Sequence, residues 1–241
     1  MSMCKTLESG AAEFGIALDD AQINAFERYT ELLLEWNQRF NLTRITEPDE
    51  IAVKHYLDSL SVLKYVRIRG GSSLIDIGTG AGFPGIPLKI AVPTLRLTLL
   101  DSVRKRLTFL EAVVQELGLT DVRIVHGRAE DYGQDRAHRA KYDFAVSRAV
   151  ARLSVLCELC MPFCRTGGKF IAYKGPEADE EIAEASKAIR VLGGKLEAVH
   201  RFTLPGGDLQ RSLVIVGKTE QTPKAYPRKA GTPEKEPLVG K

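Results

Sequence analysis

The residues best suited to chemistry lie in a glycine-rich loop that follows a short apolar run. Residues 73–77 predict a buried strand, with Asp76 as the charged residue within it. Glycines then follow at positions 78, 80, 82 and 85. Glycine allows positive φ and a close approach to the backbone, and a loop leading from a strand into a helix leaves N–H groups free for a polar or anionic ligand. We therefore expect a ligand site here rather than a plain strand-to-helix turn.

Two classes of cofactor fit this loop. Gly80, Gly82 and Gly85 satisfy the G-x-G-x-x-G pattern of dinucleotide-binding domains. Asp76, two residues before Gly78, also gives D-x-G-x-G-x-G, which resembles the first motif of S-adenosylmethionine-dependent methyltransferases. In those enzymes the acid lies near the methionine end of the cofactor, whereas a nicotinamide site usually has an apolar residue there. The pattern favours adenosylmethionine, with Asp76, Gly78, Gly80 and Gly82 as cofactor residues.

A second acid marks the next predicted strand. Residues 95–100 form an apolar run that ends at Asp101, about twenty residues past the glycine loop, where a carboxylate can accept hydrogen bonds from ribose hydroxyls. Ser102 is predicted to cap the helix that follows, whose apolar positions recur with the helical period. Because adenosylmethionine and NAD both carry an adenosine ribose, Asp101 and Ser102 fit either cofactor.

Strand and helix patterns alternate after the glycine loop. Strands are predicted at about 73–77, 95–100, 122–126, 143–147 and 168–173. Helical patterns separate them, which indicates a parallel sheet with helices on both faces. Residues 196–204 and 211–218 are joined by Pro-Gly-Gly-Asp without a helix and predict an antiparallel hairpin. A doubly wound, seven-stranded, mostly parallel α/β sheet with one reversed strand is typical of the Rossmann-like methyltransferase fold, and a standard NAD domain lacks that strand.

The sequence divides into three predicted parts. Residues 1–66 look helical and form an N-terminal cap, in which Asp19 or Asp20 starts a helix that runs to about Gln38 before polar residues break it. Residues 67–218 form the methyltransferase-like domain, and residues 219–241 form a proline-punctuated tail. Residues 218–241 carry six basic and three acidic side chains, an excess equal to the net charge of +3 of the whole chain. Such a tail suits a polyanion such as RNA, or is simply solvated.

Composition bounds the remaining classes. With 241 residues, 44% hydrophobic and 27% charged, the chain predicts one globular domain with an appendage. No apolar run approaches a membrane span and the N-terminus lacks a signal peptide pattern, so we expect a cytosolic protein without a membrane partner, and a monomer. Cys157, Cys160 and Cys164 fall on one face of a helix predicted over 153–163. Without a fourth ligand nearby they are expected to pack rather than to bind a metal.

The helical cap also contains polar candidates. Lys54 and Asp58 are four residues apart on a predicted helix and favour a surface salt bridge, while His55 and Ser59 form the adjacent row. A single histidine on a helix is more often structural than catalytic. These residues become functional candidates mainly through the longer pattern in which they lie.

Longer segments of the chain match one known family, in order. They are Leu-Leu-Leu-Glu-Trp-Asn at 32–37, Asn-Leu-Thr at 41–43, Lys-His-Tyr-Leu-Asp-Ser-Leu at 54–60, Asp-Ile-Gly-Thr-Gly-Ala-Gly-Phe-Pro-Gly-Ile-Pro-Leu at 76–88, Leu-Leu-Asp-Ser at 99–102, Gly-Arg-Ala-Glu at 127–130, Ser-Arg-Ala at 147–149, Lys-Gly at 174–175 and Tyr-Pro-Arg-Lys at 226–229. With these segments the chain resembles the GidB/RsmG family of bacterial methyltransferases. The segment at 76–88 is the most diagnostic, because its Phe-Pro-Gly is narrower than the general methyltransferase motif.

This resemblance implies the transfer of a methyl group from S-adenosylmethionine to N7 of a guanine in 16S ribosomal RNA, with that RNA or the small ribosomal subunit as partner. By the family's pattern, the cofactor contacts are Gly78, Phe83, Ala129, Glu130 and Arg148. On the substrate side we expect Asn41, His55, Asp58, Lys174, Arg228 and Lys229.

The expected chemistry needs no general base. Guanine N7 has an in-plane lone pair and no proton, so the protein must align N7 with the methyl group and exclude water. Arg148, at the end of the fourth predicted strand, is expected to orient cofactor or substrate, and Arg148 and Lys174 are candidates for guanine O6. Two other functions are considered: a non-catalytic RNA-binding module that keeps the fold, and an NAD-dependent oxidoreductase. The intact loop with both acids argues against the first, and the reversed strand argues against the second.

Overall fold

The centre of the fold is a seven-stranded sheet within residues 2–148 and 151–240, the part of the chain that the computed structural model describes. Its strands are β1 (Ser73–Ile77), β2 (Arg96–Asp101), β3 (Val122–His126), β4 (Tyr142–Arg148), β5 (Cys164–Lys174), β6 (Gly194–Thr203) and β7 (Gln210–Lys218). The order is β3-β2-β1-β4-β5-β7-β6. Strands β1 to β5 pair in parallel, and β7 runs antiparallel to β5 and β6. The predicted fold class, with its C-terminal hairpin, is confirmed. Ala149 of the Ser-Arg-Ala match lies outside the described residues.

Helices cover both faces of the sheet. They are α1 (Met3–Glu13), α2 (Asp20–Phe40), α3 (Pro48–Ile51), a π-helical segment (Ala52–Leu57), α4 (Asp58–Leu60), α5 (Val62–Tyr65), α6 (Gly85–Ala91), α7 (Arg104–Glu116), α8 (Ala129–Tyr132), α9 (Leu153–Cys160), α10 (Ala178–Val191) and α11 (Thr232–Lys235). Side chains alternate along each strand, so Leu74 faces the N-terminal helices while Ile75 and Ile77 face α9 and α10. The N-terminal helices therefore complete one of the two hydrophobic layers. Among the described residues, no helix combines the length and hydropathy that crossing a membrane requires.

Helix α2 begins as predicted and ends later than predicted. Asp19 is its N-cap: the Asp19 carboxylate accepts a hydrogen bond from the Gln22 N–H at 2.8 Å, and the Gln22 side chain accepts one from the Asp19 N–H at 2.9 Å. The helix continues to Phe40, because the Trp36 and Phe40 rings stack with centroids 5.5 Å apart and hold the last turn. Asn41, a predicted substrate residue, is the exposed left-handed C-cap.

The prediction of a surface salt bridge between Lys54 and Asp58 is wrong. The backbone around Lys54 is π-helical, so the spacing of four no longer places these two side chains together. Lys54 pairs with Glu50 at 2.6 Å. Asp58 is buried, with its side chain 6% exposed, and turns toward the end of the sheet.

Two further local predictions need correction. Ser102 is exposed and does not cap α7; its N-cap is Val103, whose N–H donates to the Asp101 carboxylate at 2.8 Å, and an ionised acceptor makes the stronger hydrogen bond. The helix predicted over 153–163 is α-helical only to Cys160 and continues as a 3₁₀ turn over Met161–Phe163. Cys164 begins β5 and does not share a helical face with Cys157. All three of these cysteines are free and buried in the core. No group of three His, Cys, Asp or Glu in the described ranges is placed to hold a metal ion.

Replacing Asp19 with Ala should lower the free energy of unfolding by about 1 kcal/mol, because the Gln22 N–H loses its acceptor. Asp20→Ala is the matched control, since it removes an exposed carboxylate from the same turn without touching the cap, and should cost only about 0.3 kcal/mol. Urea denaturation of both variants measures the difference. Equal losses would show that the capping box contributes nothing beyond charge.

Candidate functional site

The carboxyl ends of the parallel strands surround a cavity of about 570 Å³. The cavity opens where β1 has β2 on one side and β4 on the other, the switch point at which sheets of this kind bind ligands. Its walls include the following predicted cofactor residues: Gly78, Gly80, Phe83, Asp101, Ser102, Ala129, Glu130 and Arg148. The volume lies within the range of small-molecule sites.

Two glycines of the loop serve different purposes. Gly80 has φ +60°, and a Cβ added there would meet only the carbonyl oxygen of Gly78, at 4.0 Å, so this position opens into the cavity. Gly82 has φ +98°, and a Cβ there would lie 2.6 Å from the Tyr29 hydroxyl and 2.9 Å from Leu110. Gly82 does not line the cavity. It lets the loop pack against α2 and α7 instead of approaching a ligand.

Asp76 supports the loop from behind and does not line the cavity. Its Oδ2 accepts hydrogen bonds from the Thr79 hydroxyl at 2.7 Å and from the Gly85 N–H at 2.9 Å. Complete burial raises the pKa of Asp76 to about 7, although these two hydrogen bonds act in the opposite direction. The acid of the D-x-G-x-G-x-G pattern therefore shapes the turn.

Asp101 joins the loop to the second strand. Its Oδ2 accepts a hydrogen bond from the Gly80 N–H at 2.9 Å and pairs with Arg106 at 3.4 Å. Its Oδ1 accepts from the Val103 N–H. Each carboxylate oxygen has two lone pairs, so Asp101 keeps acceptor capacity toward the cavity that it lines.

The C-terminal segment closes the wall beyond β3. Gly231 and Pro233 line the cavity, and the Gly231 N–H donates to Glu130 Oε1 at 2.9 Å. Predicted as a basic tail, this part of the chain is packed on the domain. Arg228, predicted to contact RNA, forms an ion pair with the buried Glu158 at 2.7 Å. The contribution of the tail to RNA affinity stays a prediction.

A stack of three side chains links the loop to the N-terminal helices. The His55 ring stacks on Phe83 with centroids 4.4 Å apart, and the Arg148 guanidinium lies 5.0 Å from the centre of the same ring. Tyr29 of α2 donates a hydrogen bond to the Ala81 carbonyl and packs against Phe83 at 5.5 Å. The N-terminal helices thus hold the glycine loop directly.

His55 is a neutral imidazole of defined tautomer. Arg148 donates from Nη2 to His55 Nδ1 at 3.2 Å, and because a guanidinium can only donate, Nδ1 must carry no proton. The proton therefore lies on Nε2, which donates to Thr43 Oγ1 at 2.8 Å. Burial and the Arg148 charge lower the pKa of His55 to about 3. With both ring nitrogens engaged, His55 does not act as a base.

Arg148, at the end of β4, is held by a buried carboxylate. Its Nη1 donates to Asp58 Oδ2 at 2.9 Å and to the Lys54 carbonyl at 3.1 Å. Arg211 of β7 reaches the other oxygen of Asp58 at 3.5 Å. The Arg148 side chain is only 13% exposed. The prediction that Arg148 lies at the site is consistent with this position, and the ion pair is a buried one rather than a surface one.

A second cavity, of about 470 Å³, adjoins the first. His55 and Arg148 line both cavities. The second cavity also holds the predicted substrate residues Asp58 and Lys174. Lys174 donates to the Ala151 carbonyl at 2.7 Å and pairs with Glu181 at 2.7 Å.

Several residues predicted for the site lie elsewhere. Asn41 lines neither cavity, and Arg228 and Lys229 line a separate surface depression. Conversely, the first cavity includes residues that sequence reasoning missed: Leu42, Thr43, Thr79, Gly127, Arg128, Gly231, Pro233 and Glu234. The matched segments contain Leu42, Thr43, Gly127 and Arg128, which could therefore have been proposed as site residues. No local sequence pattern marks Gly231 or Pro233 as a site residue.

Comparison with known proteins identifies the family. A sequence profile of GidB, described as rRNA small subunit methyltransferase G, matches residues 22–214. The chain belongs to the GidB family. The resemblance expected from the matched segments is thereby confirmed.

Curated relatives match this GidB-family chain over nearly its whole length. Ribosomal RNA small subunit methyltransferase G of Alkaliphilus metalliredigens is 53% identical, over 96% of this chain and 97% of its own. The protein of the same name from Desulforamulus reducens is 52% identical, over 97% of this chain and 98% of its own. Among solved structures, MtNAS in complex with MTA and tNA aligns with a TM-score of 0.54 at 18% identity, over 80% of this chain and 74% of that chain. At this identity the structural likeness shows the fold alone.

The stability that His55 confers should depend on pH. Its pKa falls from 6.5 to about 3 on folding, so its contribution is complete above pH 6.5 and is lost as the pH falls toward 3. The slope is at most about 1.4 kcal/mol per pH unit. The raised pKa of Asp76 acts with the opposite sign between pH 3.8 and about 7, so the measurement is the difference between the wild type and His55→Gln, in which the Asp76 contribution cancels.

Denaturant unfolding of both proteins between about pH 7 and about pH 4 should show this difference shrinking as the pH falls. A difference that stays constant would mean that His55 takes up its proton equally in the folded and unfolded states.

Proposed function

We propose that the protein transfers a methyl group from S-adenosylmethionine to N7 of a guanine in the 16S ribosomal RNA of the small subunit. The observation that carries the proposal is the match of an rRNA small subunit methyltransferase profile to residues 22–214, a span that contains the glycine loop at the mouth of the first cavity. Relatives about half identical over nearly the full chain have the corresponding name. Neither the non-catalytic RNA-binding module nor the NAD-dependent oxidoreductase is favoured by these relatives.

The first cavity fits adenosylmethionine in space and in charge. The open space beside Gly80 is where a ligand can approach the backbone. Asp101 and Glu130 supply acceptors for hydroxyl and amino groups of an adenosine. MtNAS, which shares the fold, has been solved with MTA. When bound, S-adenosylmethionine supplies a methyl group on a positively charged sulfur.

The proposed cofactor residues are those that line the first cavity: Gly78, Gly80, Phe83, Asp101, Ser102, Ala129, Glu130 and Arg148. Asp76 and Gly82 are assigned a different part. They set the path of the loop: Asp76 accepts two hydrogen bonds from it, and Gly82 leaves room for the Tyr29 hydroxyl.

The second cavity is proposed to receive the guanine. Because His55 and Arg148 border both cavities, a base held in the second cavity can present one edge toward the first. Guanine O6 accepts hydrogen bonds from Arg or Lys, and the N1 and N2 groups donate to a carboxylate. Lys174 and Asp58 provide both kinds of partner in this cavity. An RNA base reaches such a pocket when it is unpaired and splayed from its helix.

The side chains at the junction are suited to alignment rather than to proton transfer. His55 has both ring nitrogens occupied, and the Arg148 guanidinium stays protonated. Attack by guanine N7 requires no proton to be removed. The work of the site is to fix the two reactants in line and to keep water out, which can supply a large part of the rate enhancement.

Gly80→Val should lower the affinity for S-adenosylmethionine at least about tenfold, because the new side chain fills the space left for the ligand. Gly118→Val is a closely matched control: Gly118 has φ +59°, against +60° at Gly80, and a Cβ there meets nothing within 4 Å. Both variants place valine at nearly the same positive φ, so isothermal calorimetry compares the effect of location. Unchanged affinity in a folded Gly80→Val protein would remove the loop from the cofactor site, and binding of NAD in place of adenosylmethionine would favour the oxidoreductase.

Arg148→Lys should impair methyl transfer nearly as much as Arg148→Ala, each by about tenfold or more. Arg148 uses Nη1 for Asp58 and the Lys54 carbonyl and Nη2 for His55, and a single ammonium nitrogen lacks this planar fork. Arg152→Lys is the control, since Arg152 is exposed and pairs only with Glu184 among the described residues. The assay follows labelled methyl groups from adenosylmethionine into 16S ribosomal RNA, and mass mapping locates the modified base.

The double variant Arg148→Ala with Asp58→Asn avoids leaving the buried Asp58 carboxylate with only its 3.5 Å contact to Arg211, so a loss of activity can be separated from a loss of folding. Near-normal transfer by this folded variant would take Arg148 out of the site. A methyl group found on a base other than guanine, or on a guanine atom other than N7, would contradict the assigned chemistry.

A further inference from the structure

The C-terminal segment from residue 226 to residue 236 borders the first cavity. Gly231, Pro233 and Glu234 lie in the cavity wall. The Gly231 N–H holds Glu130, itself a wall residue, at 2.9 Å. The segment therefore contributes wall surface and also fixes a carboxylate that faces the ligand space.

One ion pair anchors this segment to the domain. Arg228 Nε donates to Glu158 Oε1 at 2.9 Å, Arg228 Nη2 donates to Glu158 Oε2 at 2.7 Å, and the Arg228 backbone N–H donates to Oε1 at 2.8 Å. The Glu158 side chain is 1% exposed. A carboxylate buried to this degree needs an opposite charge. Glu158 lies on α9, whose Val155 and Leu159 line the same cavity.

Two side chains hold the residues that precede Arg228 by donating hydrogen bonds to their backbone carbonyls. The Arg139 guanidinium donates to the carbonyls of Thr222, Pro223 and Tyr226 at 2.7 to 3.1 Å. The Gln134 amide donates to the carbonyls of Lys224 and Pro227. These contacts stop at residue 227, so Arg228 is the anchor nearest to the part that lines the cavity.

The charges of the segment argue against an RNA-binding arm. Arg228 is neutralised by Glu158. Between residues 219 and 240 the remaining cations are three lysines, at 224, 229 and 235, and they are matched by three glutamates, at 220, 234 and 236. All six of these side chains are exposed, and their charges add up to zero. A segment without net exposed charge gains little from the phosphate backbone.

We infer that residues 226–236 are a fixed wall of the cofactor site, and that Arg228 and Glu158 are positioning residues for the binding of S-adenosylmethionine. The inference rests on the proposed function, which places that cofactor in the first cavity. Loss of the ion pair loosens the segment between Pro227 and its C-terminal contacts, weakens the hydrogen bond from the Gly231 N–H to Glu130 and opens the wall to water. The cost falls on cofactor affinity and leaves RNA affinity unchanged.

Three variants test this inference. Arg228→Gln with Glu158→Gln removes both charges of the anchor without leaving one of them buried and unpaired. A chain that ends at residue 229 keeps Arg228 and the contacts of Arg139 and Gln134 but lacks the wall residues. Lys224→Ala removes an exposed charge that lies before the wall and leaves the anchor intact.

The measurements are the dissociation constant of S-adenosylmethionine by calorimetry, the separate KM values for S-adenosylmethionine and for 16S ribosomal RNA, and thermal unfolding to confirm that each variant folds. The anchor variant and the shortened chain should raise the dissociation constant and the KM of adenosylmethionine about tenfold, with the KM for RNA within about twofold of the wild type. The lysine variant should leave the affinity for adenosylmethionine unchanged.

Unchanged affinity for adenosylmethionine in both the anchor variant and the shortened chain, while the wild type binds it, would overturn the inference and leave the proposed function intact. A rise in the KM for RNA without a rise in the KM for adenosylmethionine would also overturn the inference and would assign the segment to RNA binding. If the wild type itself binds no adenosylmethionine, the proposed function fails and the inference fails with it.

Discussion

The structure of the site depends on a guanidinium that has been taken out of water. Arg148 ends the central strand β4 with its side chain only 13% exposed, a position tolerable only when its donors are satisfied. Among the described residues, the sheet provides none of its hydrogen-bond partners. They come from the N-terminal helices: the Lys54 carbonyl, the Asp58 carboxylate and His55. The helical cap is therefore part of the site and not an appendage to it.

The same dependence fixes the electrostatic state of the neighbouring groups. Because Arg148 donates to His55, the imidazole is held neutral with its proton on Nε2. Because the Asp58 carboxylate pairs with Arg148 and Arg211, its negative charge is compensated in a buried position. Such groups are oriented before any ligand arrives, and preorganised dipoles and charges need not rearrange at the moment of reaction.

Both ends of the chain build walls on a widely shared fold. MtNAS aligns with this chain at only 18% identity, so the sheet by itself says little about the reaction. Here α2 braces the glycine loop through the Tyr29 hydroxyl, and the C-terminal segment meets Glu130 through Gly231. Part of the wall and bracing of the cavity thus comes from segments that lie outside the alternating strands and helices.

The sequence alone determined what depends on local patterns. Periodicity, turn chemistry and spacing predict the alternation of strands and helices, the hairpin of residues 196–204 and 211–218, an N-cap at Asp19 or Asp20 and the glycine loop near Gly80. These features are predictable because they depend on residues close in the chain. Matched segments also carried His55, Asp58 and Arg148 into the candidate site, although nothing local indicated that Asp58 turns inward.

Tertiary structure alone decided which of these residues meet. Arg148 and Asp58 are 90 residues apart, Arg228 and Glu158 are 70 apart, and Gly231 and Glu130 are 101 apart. No periodic pattern spans such distances. The pattern also could not separate Gly80, which leaves room for a ligand, from Gly82, which leaves room for Tyr29, because both need the same missing Cβ and only the packed neighbours tell them apart.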